Sequence, residues 1–348
     1  MNDEILKNRS SFIVLKVHRS KIMQSFSANG KLLITAEYFV IDGAKALAIP
    51  VKFGQGLQIV INKIIPELVW RSFDNEKNLW FNAIFNAENF RILQSSDSMV
   101  AETLSKILSE AQKLRQISDF GFRISDFGKS ESEKRNPLIL SHKVIETHLN
   151  FPRLWGLGTS STLIYLIAEL FEVNPYLLSK ATLGGSGYDI ACAGAQSAII
   201  YQISATESAP IVTPVVWQPT FSEQLFFIYS GRKQNSREGI AHYRATAEKN
   251  KILIDTATQL TADFLSAATL SDFEKLITEH EKLVRSATHL QRVKNAYFSD
   301  YWGEIKSLGA WGGDFVLATS DRTLSETKNY FSQKGCKTFF SFTEITDF

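Results

Sequence analysis

The sequence predicts an α+β fold in two parts, and three observations carry that prediction. From Ser25 the chain is β-rich, with Leu68–Phe73 and Leu79–Phe85 patterned as a hairpin around Asp74-Asn75. A Ser-, Thr- and Pro-rich stretch, Ser204–Phe221, then separates this region from a second half of different character. There a strand at Gln224–Tyr229 precedes two long helical stretches, Ser236–Ala267 and Ser271–Ala287. Strand, helix and strand follow at Phe315–Thr319, Ser325–Gln333 and Lys337–Phe342. That order suits helices covering one face of a small antiparallel sheet. The expected division is 1–22 as a polar leader, 23–210 as a first domain and 211–348 as a second.

Within the first domain, Lys31–Thr35 and Gly56–Lys63 alternate or run apolar, as strands do. Val100, Leu104, Ile107, Leu108, Ala111 and Leu114 fall on one helical face, with Ser98 as the expected cap and Glu102 in the first turns. Lys143–Leu149 reads as a strand, Ser160–Phe171 as an apolar helix and Ser197–Ile203 as another strand. The leader has no clear period and is expected to be a loose tail, the alternative being a first strand through Phe12–Val17.

Composition narrows the function. Lys+Arg number 38 against 36 Asp+Glu in 348 residues, a formal charge of +2, whereas nucleic-acid binders carry a strong basic excess. Hydrophobic residues at 44% and charged residues at 21% are ordinary for a globular enzyme. Only Cys192 and Cys336 are present, which excludes a disulfide scaffold or a thiolate zinc cluster and, with no secretory leader pattern, leads us to expect a cytoplasmic protein. The longest apolar stretch, Leu163–Phe171, is broken by Glu169 and is too short to span a bilayer, so no membrane partner is expected. The 6 histidines show no zinc-hydrolase pairing, and no Gly-x-x-x-x-Gly-Lys-Ser/Thr loop occurs. Asp-Phe-Gly occurs twice within Ile117–Gly128, but without the His-Arg-Asp and Ala-Pro-Glu companions that make it a kinase motif it reads as a polar loop.

Three glycine-rich segments and a fourth candidate hold the chemistry. In Ser27–Gly43, Gly30-Lys31 opens a strand where a cation can reach a site, and Glu37 interrupts an apolar run in which a carboxylate needs a partner or a ligand. Pro152–Leu163 runs from a strand through Gly156-Leu157-Gly158 into a helix start bearing Thr159, Ser160 and Ser161. Free N–H groups there suit an anion, although a plain Ser/Thr cap after a glycine turn fits the same letters. Gly184–Gly194 places Asp189 where it can accept a proton from a hydroxyl, or merely cap a helix. Gly309-Ala-Trp-Gly-Gly-Asp-Phe315 precedes a strand and would put backbone amides against a ligand.

Together these segments resemble the GHMP kinase superfamily of galacto-, homoserine, mevalonate and phosphomevalonate kinases. Segment two is similar to its Pro-x-x-x-Gly-Leu-Gly-Ser-Ser-Ala-Ala motif, segment one to its first motif and Gly309–Phe315 to its third. Gly187–Ala191 matches the signature of the GYDIA branch, while the Gly-Gly-Asp ending and Ser236-Arg237 look most like phosphomevalonate kinases. The resemblance implies a first domain like domain 2 of ribosomal protein S5, a ferredoxin-like second domain, and ATP between them. It implies that Gly156, Leu157, Gly158, Thr159, Ser160 and Ser161 hold ATP, with Ser160 contacting Mg2+. By the same match Asp189 and Lys31 would be catalytic, and Glu37, Ser236, Arg237, Gly312 and Gly313 would meet a small-molecule substrate. The family's magnesium glutamate has no counterpart, because Leu178 stands at its offset; Asn29, Ala36 and Trp311 also depart from the motifs. The expected activity is phosphorylation of mevalonate, phosphomevalonate or another alcohol by a monomer or homodimer. Mevalonate diphosphate decarboxylation and non-catalytic ligand sensing on the same fold are the alternatives.

Overall fold

The computed structural model describes residues 22–117, 138–204, 209–232, 236–246, 251–309, 314–346 and 348, with backbone alone at 236 and 237. The leader before Ile22 and nearly all of the Asp-Phe-Gly repeat lie outside these residues. The first half contributes strands β1 (Ile22–Leu33), β2 (Ala46–Ile61), β3 (Leu68–Phe73), β4 (Leu79–Phe85) and β5 (Ile92–Ser95), then helix α1 (Ser98–Ile117) and strand β6 (Lys143–Leu149). Helices α2 (Thr159–Phe171), α3 (Pro175–Thr182) and α4 (Tyr188–Gly194) follow, then strands β7 (Ala198–Gln202) and β8 (Ile211–Val215). The strands form one eight-stranded sheet in the order β5-β4-β3-β6-β2-β7-β8, with β1 paired to β2. β3 and β6 run parallel, and the other pairings are antiparallel.

The hairpin of β3 and β4 spans the residues its alternation predicts. α1 buries Ala101, Leu104, Ile107, Leu108 and Ala111, the stripe read from its 3.6-residue period. Its cap is one residue earlier than expected: the Val100 N–H donates to Asp97 Oδ1 at 3.1 Å. β8 pairs with β7 from Ile211↔Gln202 to Val215↔Ala198, which adds those residues to the large sheet.

The second half supplies β9 (Leu225–Tyr229), α5 (Ser236–Thr246), α6 (Lys251–Ser266), α7 (Leu270–Thr288), α8 (Val293–Tyr297), β10 (Ile305–Leu308), β11 (Phe315–Thr319), α9 (Leu324–Gln333), β12 (Thr338–Ser341) and α10 (Phe342–Ile345). Among the described residues the two long helical stretches hold α5, α6 and α7, and α7 starts where the Thr269 side chain accepts the Asp272 N–H. Antiparallel strands in the order β10-β11-β9-β12, with helices after β9 and β11, give the expected ferredoxin-like βαββαβ arrangement.

One apolar cluster joins the two sheets. Leu32, Leu47 and Leu157 from the first half pack with Phe227, Phe264, Phe273 and Phe315 from the second. This continuity sets the glycine-rich loop before α2 against the end of β11. No helix among the described residues is long and apolar enough to cross a membrane.

Candidate active site

Glycine lets two backbones touch where β1 meets the loop before α2. A side chain at Gly30 would lie 2.7 Å from the Phe53 carbonyl oxygen and 2.9 Å from that of Leu157. Its absence allows the Lys31 N–H to donate to the Leu157 carbonyl at 3.0 Å, while the Lys31 Nζ donates to the Gly156 carbonyl at 3.0 Å. The loop turns through left-handed Gly156 (φ 69°) and Gly158 (φ 97°), a conformation that costs glycine little. Gly158 is the N-cap of α2, and the first intrahelical bond runs from Thr162 to its carbonyl. The N–H groups of Thr159, Ser160 and Ser161 therefore precede the helical ladder, as an anion site requires.

The side chains of this segment diverge. Ser160 is exposed, whereas the buried Ser161 hydroxyl donates back to the Gly158 carbonyl at 2.8 Å. Leu157 is fully buried in the junction core, so its side chain holds the loop from beneath and leaves ligand contact to its neighbours. Arg153 lies 3.5 Å from the Trp80 ring centroid, which fixes the start of the loop to the hairpin.

Segment three lies across Lys31 from this loop. Gly187 caps α4, placing Asp189 in its first turn with Oδ1 accepting the Ile190 N–H at 3.0 Å. Lys31 Nζ is 5.6 Å from the Tyr188 ring centroid. Burial pulls the Lys31 ammonium pKa down, but Tyr188, Asp189 and Asp314 outweigh it and leave it above the ordinary lysine value. The lysine is thus a fixed cation between the helix start and Asp189. A cavity of about 300 Å³ opens beside this segment, lined by residues including Tyr176, Lys180, Ser186, Gly187 and Tyr201. The Tyr201 hydroxyl donates to the Ser186 carbonyl and braces the glycine turn.

Glu37 lies elsewhere. It is fully buried in an ion pair with Lys306 of β10, which supplies the partner its sequence context demands. His280 and Glu281 of α7 complete a cluster in which all four side chains are 0% exposed. His280 Nε2 accepts the Ala36 N–H at 2.8 Å, and the Ser307 N–H donates to Glu281 Oε1 at 3.2 Å. Burial, opposed by Lys306, pushes the Glu37 carboxyl pKa up to about 7. Burial, again opposed by Lys306 but reinforced by Glu37, pushes that of Glu281 to about 8. Burial and then Lys306 hold the His280 imidazole well below its usual range, so it is neutral.

These shifts have a definite sign. Each carboxyl binds its proton more tightly folded than unfolded, so its contribution is complete below the ordinary glutamate value of 4.5 and is lost as pH rises through about 7 and 8. Glu281→Gln, which retains an acceptor for Ser307, is expected to gain more stability relative to the parent at pH 8.5 than at pH 6. Urea melts at the two pH values check this; equal differences at both would remove Glu281 from the alkaline decline.

The remaining sequence candidates are less fully placed. Ser236 and Arg237 open α5, while Gly312 and Gly313, in the connection between β10 and β11, lie outside the described residues. Leu178 is buried in the first-half core and offers the site nothing. Two features escaped the sequence reading. The buried His280-Glu281 pair continues the Phe273 and Ile277 stripe of α7, and charged residues on such a stripe were the available signal. Asp314 ends the fourth glycine segment and lies against Gly156, where any added side chain would collide with its carboxylate.

Fold comparison places the chain in a known architecture. The structure resembles Streptococcus pneumoniae phosphomevalonate kinase in complex with phosphomevalonate and AMPPNP, at TM-score 0.64 and 16% identity over 92% of this chain and 100% of that one. It resembles L. major mevalonate kinase in complex with R-mevalonate at TM-score 0.59 and 15% identity, over 92% and 97% of the two chains. Lactococcus lactis galactokinase complexed with galactose gives TM-score 0.61 and 12% identity, over 91% and 92%. No protein-family model and no curated protein sequence matches the chain. The chain has the two-domain GHMP kinase fold.

Proposed function

We propose that this chain is an ATP-dependent small-molecule kinase, phosphorylating a hydroxyl or phosphate of a small metabolite, with mevalonate and phosphomevalonate the first acceptors to test. The observation that carries the reading is the position of Lys31, bonded to the Gly156 carbonyl at the mouth of α2 and flanked by Tyr188 and Asp189. Phosphoryl transfer needs positioning and charge neutralisation more than covalent chemistry. The Gly156–Ser161 turn supplies backbone donors for phosphates, and exposed Ser160 supplies a hydroxyl for the accompanying Mg2+. That ion, when bound, neutralises phosphate charge.

Asp189 accepts the proton of the acceptor hydroxyl as that oxygen bonds to the γ-phosphorus. The bond to the bridging oxygen breaks, and ADP leaves. Lys31 stabilises the charge that develops on the oxygens. The mevalonate and phosphomevalonate complexes among the structural neighbours support testing these acceptors first.

The test is ADP release screened over mevalonate, phosphomevalonate, homoserine and hexoses. Turnover with one of them supports the kinase. Nucleotide binding without ADP formation from any acceptor would overturn it in favour of a ligand sensor.

The cradle has its own test. A side chain at Gly158 would lie 2.7 Å from Ser161 Oγ and 3.5 Å from Lys31 Cγ, on a backbone at φ +97°. Gly158→Val is expected to weaken ATP binding roughly tenfold or more by obstructing phosphate approach. Calorimetric titration, with circular dichroism to confirm folding, reads this. A folded variant with parental affinity would place the phosphates elsewhere.

A further inference from the structure

Lys31 and Asp189 are opposite charges on neighbouring elements, and Asp189 is one of the groups that raise the lysine pKa. Left to themselves, two such side chains close into a salt bridge. Yet among the described residues no ion pair joins the two. Lys31 Nζ donates to the Gly156 carbonyl at 3.0 Å, and Asp189 Oδ1 accepts the Ile190 N–H at 3.0 Å. The separation matters for proton and phosphoryl transfer. A lysine bound to the base would hold that carboxylate in its ionised form against the incoming proton and would turn its charge away from the phosphoryl oxygens.

Tyr188 opens α4 immediately before Asp189, with left-handed Gly187 as the cap. Its ring centroid is 5.6 Å from Lys31 Nζ, within range of ammonium–aromatic attraction. The ring is seated, since it packs against the apolar cluster that contains Leu33, Ala36, Cys192 and Ile199, and Leu33 belongs to the strand that carries Lys31. The lysine stem passes Gly158, where an added side chain would lie 3.5 Å from Cγ and 3.6 Å from Cε. The Gly156 carbonyl and the tyrosine ring therefore restrain the ammonium together. Burial, opposed by Lys31, raises the Tyr188 hydroxyl pKa, so this side chain is a neutral surface and not a second anion. It attracts the cation without cancelling its charge. Tyr176 of α3, Cys192 of α4 and Tyr201 of β7 also lie near Asp189, and burial raises the pKa of each, so they too stay protonated.

We propose that Tyr188 is a positioning residue that keeps Lys31 from closing onto Asp189, so that the cation faces the transferred phosphoryl group and the carboxylate stays open to the acceptor hydroxyl. The inference rests on the kinase reading and adds to it the residue that keeps its two charges unpaired. The aromatic face performs this role, and the hydroxyl is dispensable.

Single-turnover phosphoryl transfer by the full chain, with the alcohol acceptor found in the ADP screen, tests this. Tyr188→Phe keeps the face and is expected to stay within about threefold of the parent, since the attraction belongs to the ring. Tyr188→Leu removes the face and should lower the rate roughly 10²-fold, the effect of a misplaced catalytic group. The decisive readout is context. In a Lys31→Met or an Asp189→Asn background no pair remains to close, so adding Tyr188→Leu should cost less than about threefold. A merely structural tyrosine would cost as much in those backgrounds as in the parent, and that result would overturn the inference. Parental turnover in Tyr188→Leu would overturn it too, as would a loss in Tyr188→Phe equal to that in Tyr188→Leu. Circular dichroism confirms folding, and Tyr188→Met takes the place of the leucine variant if that one does not fold. Failure of this series in an active parent leaves the kinase reading standing. A parent without turnover on any acceptor would overturn the kinase reading, and the inference with it.

Discussion

Asp189→Asn is expected to lower single-turnover phosphoryl transfer to an alcohol acceptor roughly 10²–10⁴-fold, the usual contribution of a positioned acid–base group. An alcohol is a poor nucleophile at neutral pH, and asparagine retains the shape of the carboxylate but cannot take the proton. Nucleotide affinity should change little, because the N–H groups proposed to face the phosphates belong to α2 and Asp189 belongs to α4. Lys31→Met should cause a comparable fall, since it removes the cation bonded to the Gly156 carbonyl at 3.0 Å. The double variant should lose less than the product of the single losses, because both side chains act on one reacting oxygen. Rapid-quench measurement with the substrate found in the ADP screen decides the matter. A rate within about threefold of the parent would remove Asp189 from proton transfer, given the size expected of a general base.

Much of this arrangement was legible because local rules fix it. The β3–β4 hairpin, the α1 stripe and the β11–α9–β12 run follow from alternation and helical spacing, and the structure places them within a residue or two of expectation. Gly156, Gly158 and Lys31 could be singled out because a tight glycine turn before a helix has few uses. What was not legible depended on distant pairing. β1 extends back to Ile22 because β2 offers partners along its length, from Ile22↔Val60 to Leu33↔Ala48, and nothing in Ile22–Gln24 alone announces a strand. β8 lies within the Ser-, Thr- and Pro-rich stretch, where the sequence patterns no strand, yet β7 supplies an edge for it. Glu37 was readable as a carboxylate in need, but whether a ligand or a lysine answered that need depended on Lys306, far along the sequence. Asp314 was hidden for a similar reason. Its position at the end of a glycine run was visible, but its contact with Gly156 requires both sheets to be in place.

The Glu37–Lys306 pair makes this long-range dependence measurable, and its rupture should carry a large stability effect. Glu37 belongs to the turn after β1, and Lys306 to β10, so the pair joins the lysine-bearing strand to the second sheet. Removing one member of a fully buried pair strands the other charge away from water, at a cost of about 3–5 kcal/mol. Lys306→Met is therefore expected to destabilise the protein by about that amount at pH 8, as read from urea melts. Glu37→Met should also destabilise, leaving the ammonium with the Ser307 carbonyl, 3.0 Å away, and the carboxylate of Glu281. The double variant should recover most of the loss, because two apolar side chains of similar length need neither charge compensation nor hydration. The deficit of Lys306→Met should shrink in acid. Lys306 opposes the burial that raises the Glu37 pKa, so its removal lets Glu37 hold a proton to still higher pH. The neutral carboxyl is tolerated in acid, and the penalty grows as pH rises above the parent value of about 7 toward the variant's higher one. A Lys306→Met protein within about 1 kcal/mol of the parent at pH 8, where breaking a buried pair should cost severalfold more, would show that Glu37 is already protonated in the parent and that the junction is held by its apolar core.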